Sequence, residues 1–313
     1  MTTVAITGAT GGLGGRVARR LAERGATQRL VVRDPARAPA LPGAEVAVAD
    51  YGDTEAMRAA LSGIETLLLV SATETDDRIA RHLSAVDAAE AAGVQRIAYV
   101  SFVGASADAT FTLARHHWRT EQHIRATGIA FTFLRDNLYQ DGLPYWVSAD
   151  PAAPPSVSAD SAGSGSLGSR CVIRGPAGDG RVGVVARDDI ADAAVAVLVD
   201  SSGLYDGETY VMTGPQALTF YQVADALSQA SGRAVAYHPE TLDEAYQSRQ
   251  HHGAPDWMVE GWVTSYVAAA TGELDVVTDH IARLAGHPAQ TFSEFLERNP
   301  AAVEHIRNLG RRR

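Results

Sequence analysis

Three glycines spaced three apart, Gly8, Gly11 and Gly14, follow the apolar run Val4-Ala5-Ile6-Thr7 and lead into helical periodicity. Strand, tight turn and helix in that order build an anion site from backbone alone. Glycine lets the chain turn and lets main-chain N–H groups approach a diphosphate that a Cβ would hold off. The helical stretch places Val17, Ala18, Leu21 and Ala22 on one face and Arg16, Arg19, Arg20 and Glu23 on the other. Its positive dipole end would point at the anion. Gly8, Gly11 and Gly14 are therefore the expected diphosphate-binding glycines of a dinucleotide site.

The next telling residues close the second strand-like run, where Leu30-Val31-Val32-Arg33 is followed by Asp34-Pro35-Ala36-Arg37. In a dinucleotide fold this position reads the adenosine ribose. A carboxylate bonds the free hydroxyls of NAD, and a guanidinium pairs with the 2′-phosphate of NADP. Arg33 at that place, with Arg37 closing on the same phosphate, favours NADP(H). A register shifted by one residue would put Asp34 in the NAD position, and two solvated arginines are the plain alternative. Asp50 could accept from the adenine amino group with Tyr51 against the ring, or could simply end a strand. Ser71 and Ala72 close the fourth strand-like run and Ser101 the fifth, so both ends should line the cofactor crevice.

These groups need a scaffold. Strand-like runs at Val4–Thr7, Arg29–Val32, Glu45–Ala49, Thr66–Val70, Arg96–Ser101 and Ala130–Leu134 alternate with helical patterns near 12–24, 54–62, 77–92 and 114–127. Asp53 or Thr54 can cap the second helix and Thr75 or Asp76 the third, while Gly93 and Gly128 are placed to end helices. Repeated β-α alternation predicts an α/β fold: a Rossmann-type doubly wound parallel sheet over residues 1–146, completed by about 171–215. Residues 147–170, rich in Pro, Ser and Gly, read as a loop or insertion, with a lid over the active site as the sharper alternative. Residues 216–313 read as a smaller, mostly helical C-terminal substrate lobe, with helices near 219–232, 242–250, 256–271, 274–285 and 291–297 and a short strand at Val235–His238.

Composition narrows the partners. Across 313 residues the net charge is −10, so a nucleic-acid backbone would be repelled and no direct nucleic-acid contact is expected. No apolar run is long enough to span a bilayer, and no membrane partner is expected. The single cysteine, Cys171, allows no internal disulfide, which fits a reducing cytoplasm. His238, His251, His252 and His280 lack metal-ligand spacing, and no metal site is expected. All 27 Lys+Arg residues are arginine, which rules out lysine chemistry.

Several segments together resemble the NmrA-like family of atypical short-chain dehydrogenase/reductases, nearest to its type 2 NAD(P)H:quinone oxidoreductase-like members. They are Thr7 to Gly14; Val32 to Arg37; Thr120-Glu121-Gln122-His123-Ile124 with Thr132 to Tyr139; Val185 to Ala191; Thr271-Gly272-Glu273-Leu274; and Leu284 to Pro288. The resemblance implies NADPH held in a Rossmann domain beside a substrate lobe. It implies that Gly8, Thr10, Gly11, Gly12 and Leu13, in the loop that ends at Gly14, surround the pyrophosphate, that Arg33 takes the 2′-phosphate and that Ser71, Ser101 and Asn137 flank the ribose and nicotinamide. The aspartates of Arg187-Asp188-Asp189-Ile190-Ala191 are better suited to start a helix than to do chemistry.

Ordinary short-chain dehydrogenases protonate a carbonyl with a tyrosine assisted by a lysine four residues on, and that pair cannot exist here. Hydride transfer to a quinone asks for less: proximity, an apolar wall and at most one donor. Phe102, Tyr139 and Trp146 could form walls. His117, near the start of the family's active-site helix, is the candidate proton donor, since histidine titrates near neutrality. His117 and Tyr139 are thus the expected catalytic residues. The leading expectation is an NADPH-dependent oxidoreductase acting on a quinone or similar electron-poor small molecule, assembled as a homodimer if not alone. A non-catalytic NADP(H) sensor acting through a protein partner, or a carbonyl, imine or ene reductase, are the alternatives.

Overall fold

The computed structural model describes residues 4–150 and 170–309, and the chain divides into two compact units. The first holds 1–137, 187–213 and 278–289; the second holds 138–186, 214–277 and 290–313.

The first unit runs β1 (Val4–Thr7), α1 (Gly14–Glu23), β2 (Gln28–Val32), β3 (Ala44–Val48), α2 (Thr54–Ala60), β4 (Thr66–Leu69), α3 (Arg78–Ala91), β5 (Arg96–Phe102), α4 (Thr112–Thr127) and β6 (Ala130–Asp136). After β7 (Ser148–Asp150), β8 (Arg170–Gly175) and β9 (Arg181–Val182), all in the second unit, it resumes with α5 (Arg187–Val199) and β10 (Thr209–Met212). The seven strands pair in parallel in the order β10-β6-β5-β4-β1-β2-β3. The central strands β1 and β4 are buried at every residue, as a parallel sheet covered on both faces requires. On one side α1 packs on α5; on the other α2 packs on α3 and α3 on α4. Leu61, Leu67, Leu69, Ile97, Tyr99 and Phe133 anchor the core beneath α2 to α4. Asp53 caps α2 by accepting from the Ala56 amide at 3.0 Å, and Gly128 ends α4 at φ +76.

The second unit continues with β11 (Leu218–Thr219), α6 (Phe220–Ser231), β12 (Val235–Pro239), α7 (Leu242–Arg249) and α8 (Asp256–Ala270); α9 (His280–Ala285) returns to the first unit, and α10 (Phe292–Arg298) and α11 (Glu304–Asn308) close the second. Thr219, Thr241 and Thr291 each start a helix in a reciprocal capping box with Gln222, Glu244 and Glu294.

The unit boundaries differ from those expected. The 171–175 run does not complete the large sheet; β8 pairs with β12 and β7 in a three-stranded sheet of the second unit. The first unit is completed instead by 187–213 and by 278–289. There Thr278 donates to the Val211 carbonyl at 2.6 Å, and His280 Nδ1 accepts from the Val211 amide at 2.8 Å. The expected 274–285 helix forms only over His280–Ala285, and part of the expected loop is strand β7. Residues 151–169 of that loop lie outside the described residues.

Candidate dinucleotide site

Strand order reverses across β1, and a cleft of about 460 Å³ opens there, at the carboxyl ends of β1 to β4. Gly8, Thr10, Gly11, Gly12, Leu13 and Gly14 form one wall. Gly8 sits at φ +64, and the Gly11 amide bonds the Gly8 carbonyl at 2.9 Å, which makes the turn. A Cβ on Gly14 would lie 2.5 Å from the Gly8 oxygen and 2.9 Å from that of Thr7, so only glycine lets α1 start this close to β1. The first turn of α1 holds no acidic residue, and Leu13 before it offers no side-chain cap. The Gly15 and Arg16 amides of that turn already bond the Gly11 and Leu13 carbonyls at 3.1 and 2.9 Å, so an anion here would meet the amides ahead of them and the positive end of the helix. Thr7 braces the floor: its hydroxyl donates to the Leu68 carbonyl at 3.2 Å and accepts from the Val70 amide at 2.9 Å.

Arg33 and Arg37 both line the cleft and are exposed. Neither pairs with a carboxylate among the described residues. The Asp34 carboxylate turns back to accept from the Ala36 amide at 3.0 Å and caps the short turn Pro35–Arg37.

Asp50, Ser71 and Ala72 also line the cleft. Asp50 Oδ1 already accepts from Arg81 Nη1 at 2.6 Å and from the Gly52 amide at 2.9 Å. Arg81, unanticipated from sequence, is a cleft residue in its own right, as are Thr73 and Thr75. Tyr51 forms part of the wall with its hydroxyl on the Val70 carbonyl at 2.5 Å and on the Thr7 hydroxyl. Burial first, and the charges of Tyr99 and Asp50, push this phenol well above its ordinary range.

Ser101 and Asn137 do not line the cleft. The Ser101 hydroxyl donates at 2.6 Å to Glu121, a fully buried carboxylate that also takes both arms of Arg135 at 2.8 and 2.6 Å. Asn137 is 1% exposed, with its amide on the Met212 carbonyl at 3.2 Å. Tyr139 lies in the second unit, where its backbone bridges Val185.

His117 requires a correction. It is buried, with Nε2 3.1 Å from Arg78 Nη2 and Nδ1 2.9 Å from the Tyr99 hydroxyl. A guanidinium only donates, so Nε2 accepts and the proton sits on Nδ1. Burial, then the charge of Arg78, hold this imidazole well below its usual range. It is a neutral, fully engaged ring and not a free acid at neutral pH. His82 is set the same way: the Ala72 amide donates to Nε2 at 2.8 Å, and Nδ1–H faces the Thr120 hydroxyl at 2.9 Å.

The model of the NmrA-like family matches residues 1–258. The chain belongs to the NmrA-like family. Quinone oxidoreductase 2 of Escherichia coli is 34% identical over 98% of this chain and 99% of its own length. The NAD(P)H azoreductase of Xenophilus azovorans is 29% identical over 96% and 98%. Among solved structures, the NADPH-dependent quinone oxidoreductase of E. coli complexed with NADPH superposes with a TM-score of 0.79 at 32% identity, covering 94% of this chain and 99% of that one. The Citrobacter triphenylmethane reductase superposes at 0.77 with 30% identity, over 96% and 99%. The fold is thus the NmrA-like form of the Rossmann fold. No helix among the described residues is long and apolar enough to cross a membrane.

Proposed function

We propose that this NmrA-like protein is an NADPH-dependent reductase that passes hydride to a quinone or similarly electron-poor small molecule. One observation carries the reading: two exposed, carboxylate-free guanidiniums, Arg33 and Arg37, stand on the same cleft as an open glycine turn and helix start. Diphosphate and 2′-phosphate are the two charges that match that pair of features. The names of the relatives, a quinone oxidoreductase, an azoreductase and a dye reductase, support flat, conjugated acceptors. Such an acceptor needs no tyrosine–lysine pair, and this chain has no lysine. NADPH, when bound, supplies the hydride; the chain's residues bind, orient and shield it. The net charge of −10 and a single buried cysteine support a cytoplasmic setting without nucleic acid.

NADPH oxidation followed by absorbance against a panel of quinones and azo dyes tests this reading. Turnover above background with at least one acceptor is expected. Tight NADPH binding by calorimetry without turnover on any acceptor would replace it with the sensor reading.

A further inference from the structure

Arg78, the first residue of α3, is 4% exposed, yet among the described residues no carboxylate pairs with it. Its Nε donates to the Ala72 carbonyl at 3.0 Å and its Nη2 to His117 Nε2 at 3.1 Å. Nη1 is buried and has no partner at all. Each feature is unfavourable on its own. A buried cation without an anion loses its hydration uncompensated. A cation also sits badly at a helix N-terminus. The three histidines around it, His82, His116 and His117, are all pushed toward the neutral form, chiefly by burial and then by Arg78 itself. A buried cation with an unpartnered arm is a feature that functional sites retain at a cost to stability.

The location says which part of a ligand it would meet. Arg33 at the end of β2 fixes the phosphorylated adenosine half, and the glycine turn takes the diphosphate. The redox half must then run toward the end of β4, where Ala72 lines the cleft and its carbonyl holds Arg78, which itself lies behind that wall. Beside it, the Phe102 ring lies 6.2 Å from His117 and 5.0 Å from Phe111, an apolar flank for a planar molecule.

Resting on the function proposed above, we propose that the free arm of Arg78 is the electrophile that receives the acceptor's developing negative charge, and that His117 is the residue positioning it. In the step, the C4–H bond of the reduced nicotinamide breaks and its electron pair leaves with the hydrogen. A new bond to that hydrogen forms on the acceptor. The electron pair of the reduced carbonyl moves onto oxygen, and NADPH becomes NADP⁺. The oxyanion hydrogen-bonds Nη1 and later takes a proton from solvent. A preorganised donor in a dry site suits a charge that exists only at and after the transition state.

Arg78→Met tests this in single turnover with a quinone. Hydride transfer should slow about 100-fold or more, as loss of one oxyanion donor does elsewhere, with calorimetric NADPH affinity unchanged. His117→Gln, which keeps an acceptor for the guanidinium, should retain most of the rate, and His117→Phe should lose it. 4-Nitrophenol gives a readout free of turnover: wild type should bind it as the yellow anion and Arg78→Met should not. A wild-type rate in Arg78→Met, equal loss in both His117 variants, or no anionic dye on the wild type overturns the assignment. A wild type that reduces no acceptor yet binds the dye as its anion sinks the reductase reading while leaving Arg78 as an anion site.

Discussion

Arg78 Nη2 lies 3.1 Å from Nε2 of His117, and that contact fixes which nitrogen of the buried ring carries its proton. A second proton on His117 would put two cations face to face in low dielectric. The ring is therefore kept neutral, and its Nδ1–H is spent on Tyr99 at 2.9 Å.

Stability should fall on mild acidification. His82 and His117 titrate well below the ordinary range, chiefly because they are buried, and His116 is pushed down to about 4 by burial and by Arg78 and Arg119. The unfolded chain then binds protons more tightly than the folded one. This stability is complete above the unfolded value of about 6.5 and is lost as pH drops below it, by up to about 1.4 kcal/mol per pH unit for each ring. Urea midpoints should be level from pH 7 to 8 and decline from 6.5 to 5. His117→Gln should reduce that slope.

Arg33→Ala should weaken NADPH and leave NADH unchanged. Charge-assisted bonds of this kind contribute about 1.5–3 kcal/mol, or roughly 10- to 100-fold in Kd. The residue is exposed, so thermal stability should hold. Calorimetry with both coenzymes gives the ratio, and equal losses for the two would contradict a 2′-phosphate contact.

Gly14→Ala and Gly12→Ala should part company. At Gly14 the added carbon meets backbone at 2.5 and 2.9 Å, and backbone cannot move aside cheaply. A loss of about 1–3 kcal/mol is expected. At Gly12 it meets only the Arg187 side chain, from 3.4 Å outward, which can shift. Thermal denaturation of the two variants side by side checks the contrast.

Asp188→Asn should loosen the tie between α1 and α5. Asp188 takes Arg20 at 2.8 Å and Arg16 at 3.1 Å, while Asp192 independently holds Arg20 at 2.7 Å. Burial raises the Asp188 carboxyl, but the two arginines outweigh it and bring it below the usual range. Its contribution is present above the unfolded aspartate value and lost as pH falls through the lower folded one. The side chain is 36% exposed, so screening limits the cost to about 1 kcal/mol or less. The gap between variant and wild type should shrink in 0.5 M salt (roughly a 4 Å Debye length).

The parallel sheet and its glycine turn were legible in the chain because their causes are local. Side-chain periodicity marks strands and helices, and a turn that must exclude Cβ atoms writes itself as Gly8, Gly11 and Gly14. Arg33 was legible for the same reason, since it follows its strand directly. Folding in space decided the rest. Arg81 reaches Asp50 across 31 residues and Arg78 reaches His117 across 39, and no periodicity encodes which helix will face which strand end. The run at 171–175 reads as a strand in either unit; only its pairing with Val235–Pro239 assigns it to the second. His117 illustrates the limit most sharply. Its residue type promises an acid near neutrality, but burial against a guanidinium makes it a neutral acceptor, because ionisation depends on what surrounds a group and not on what it is.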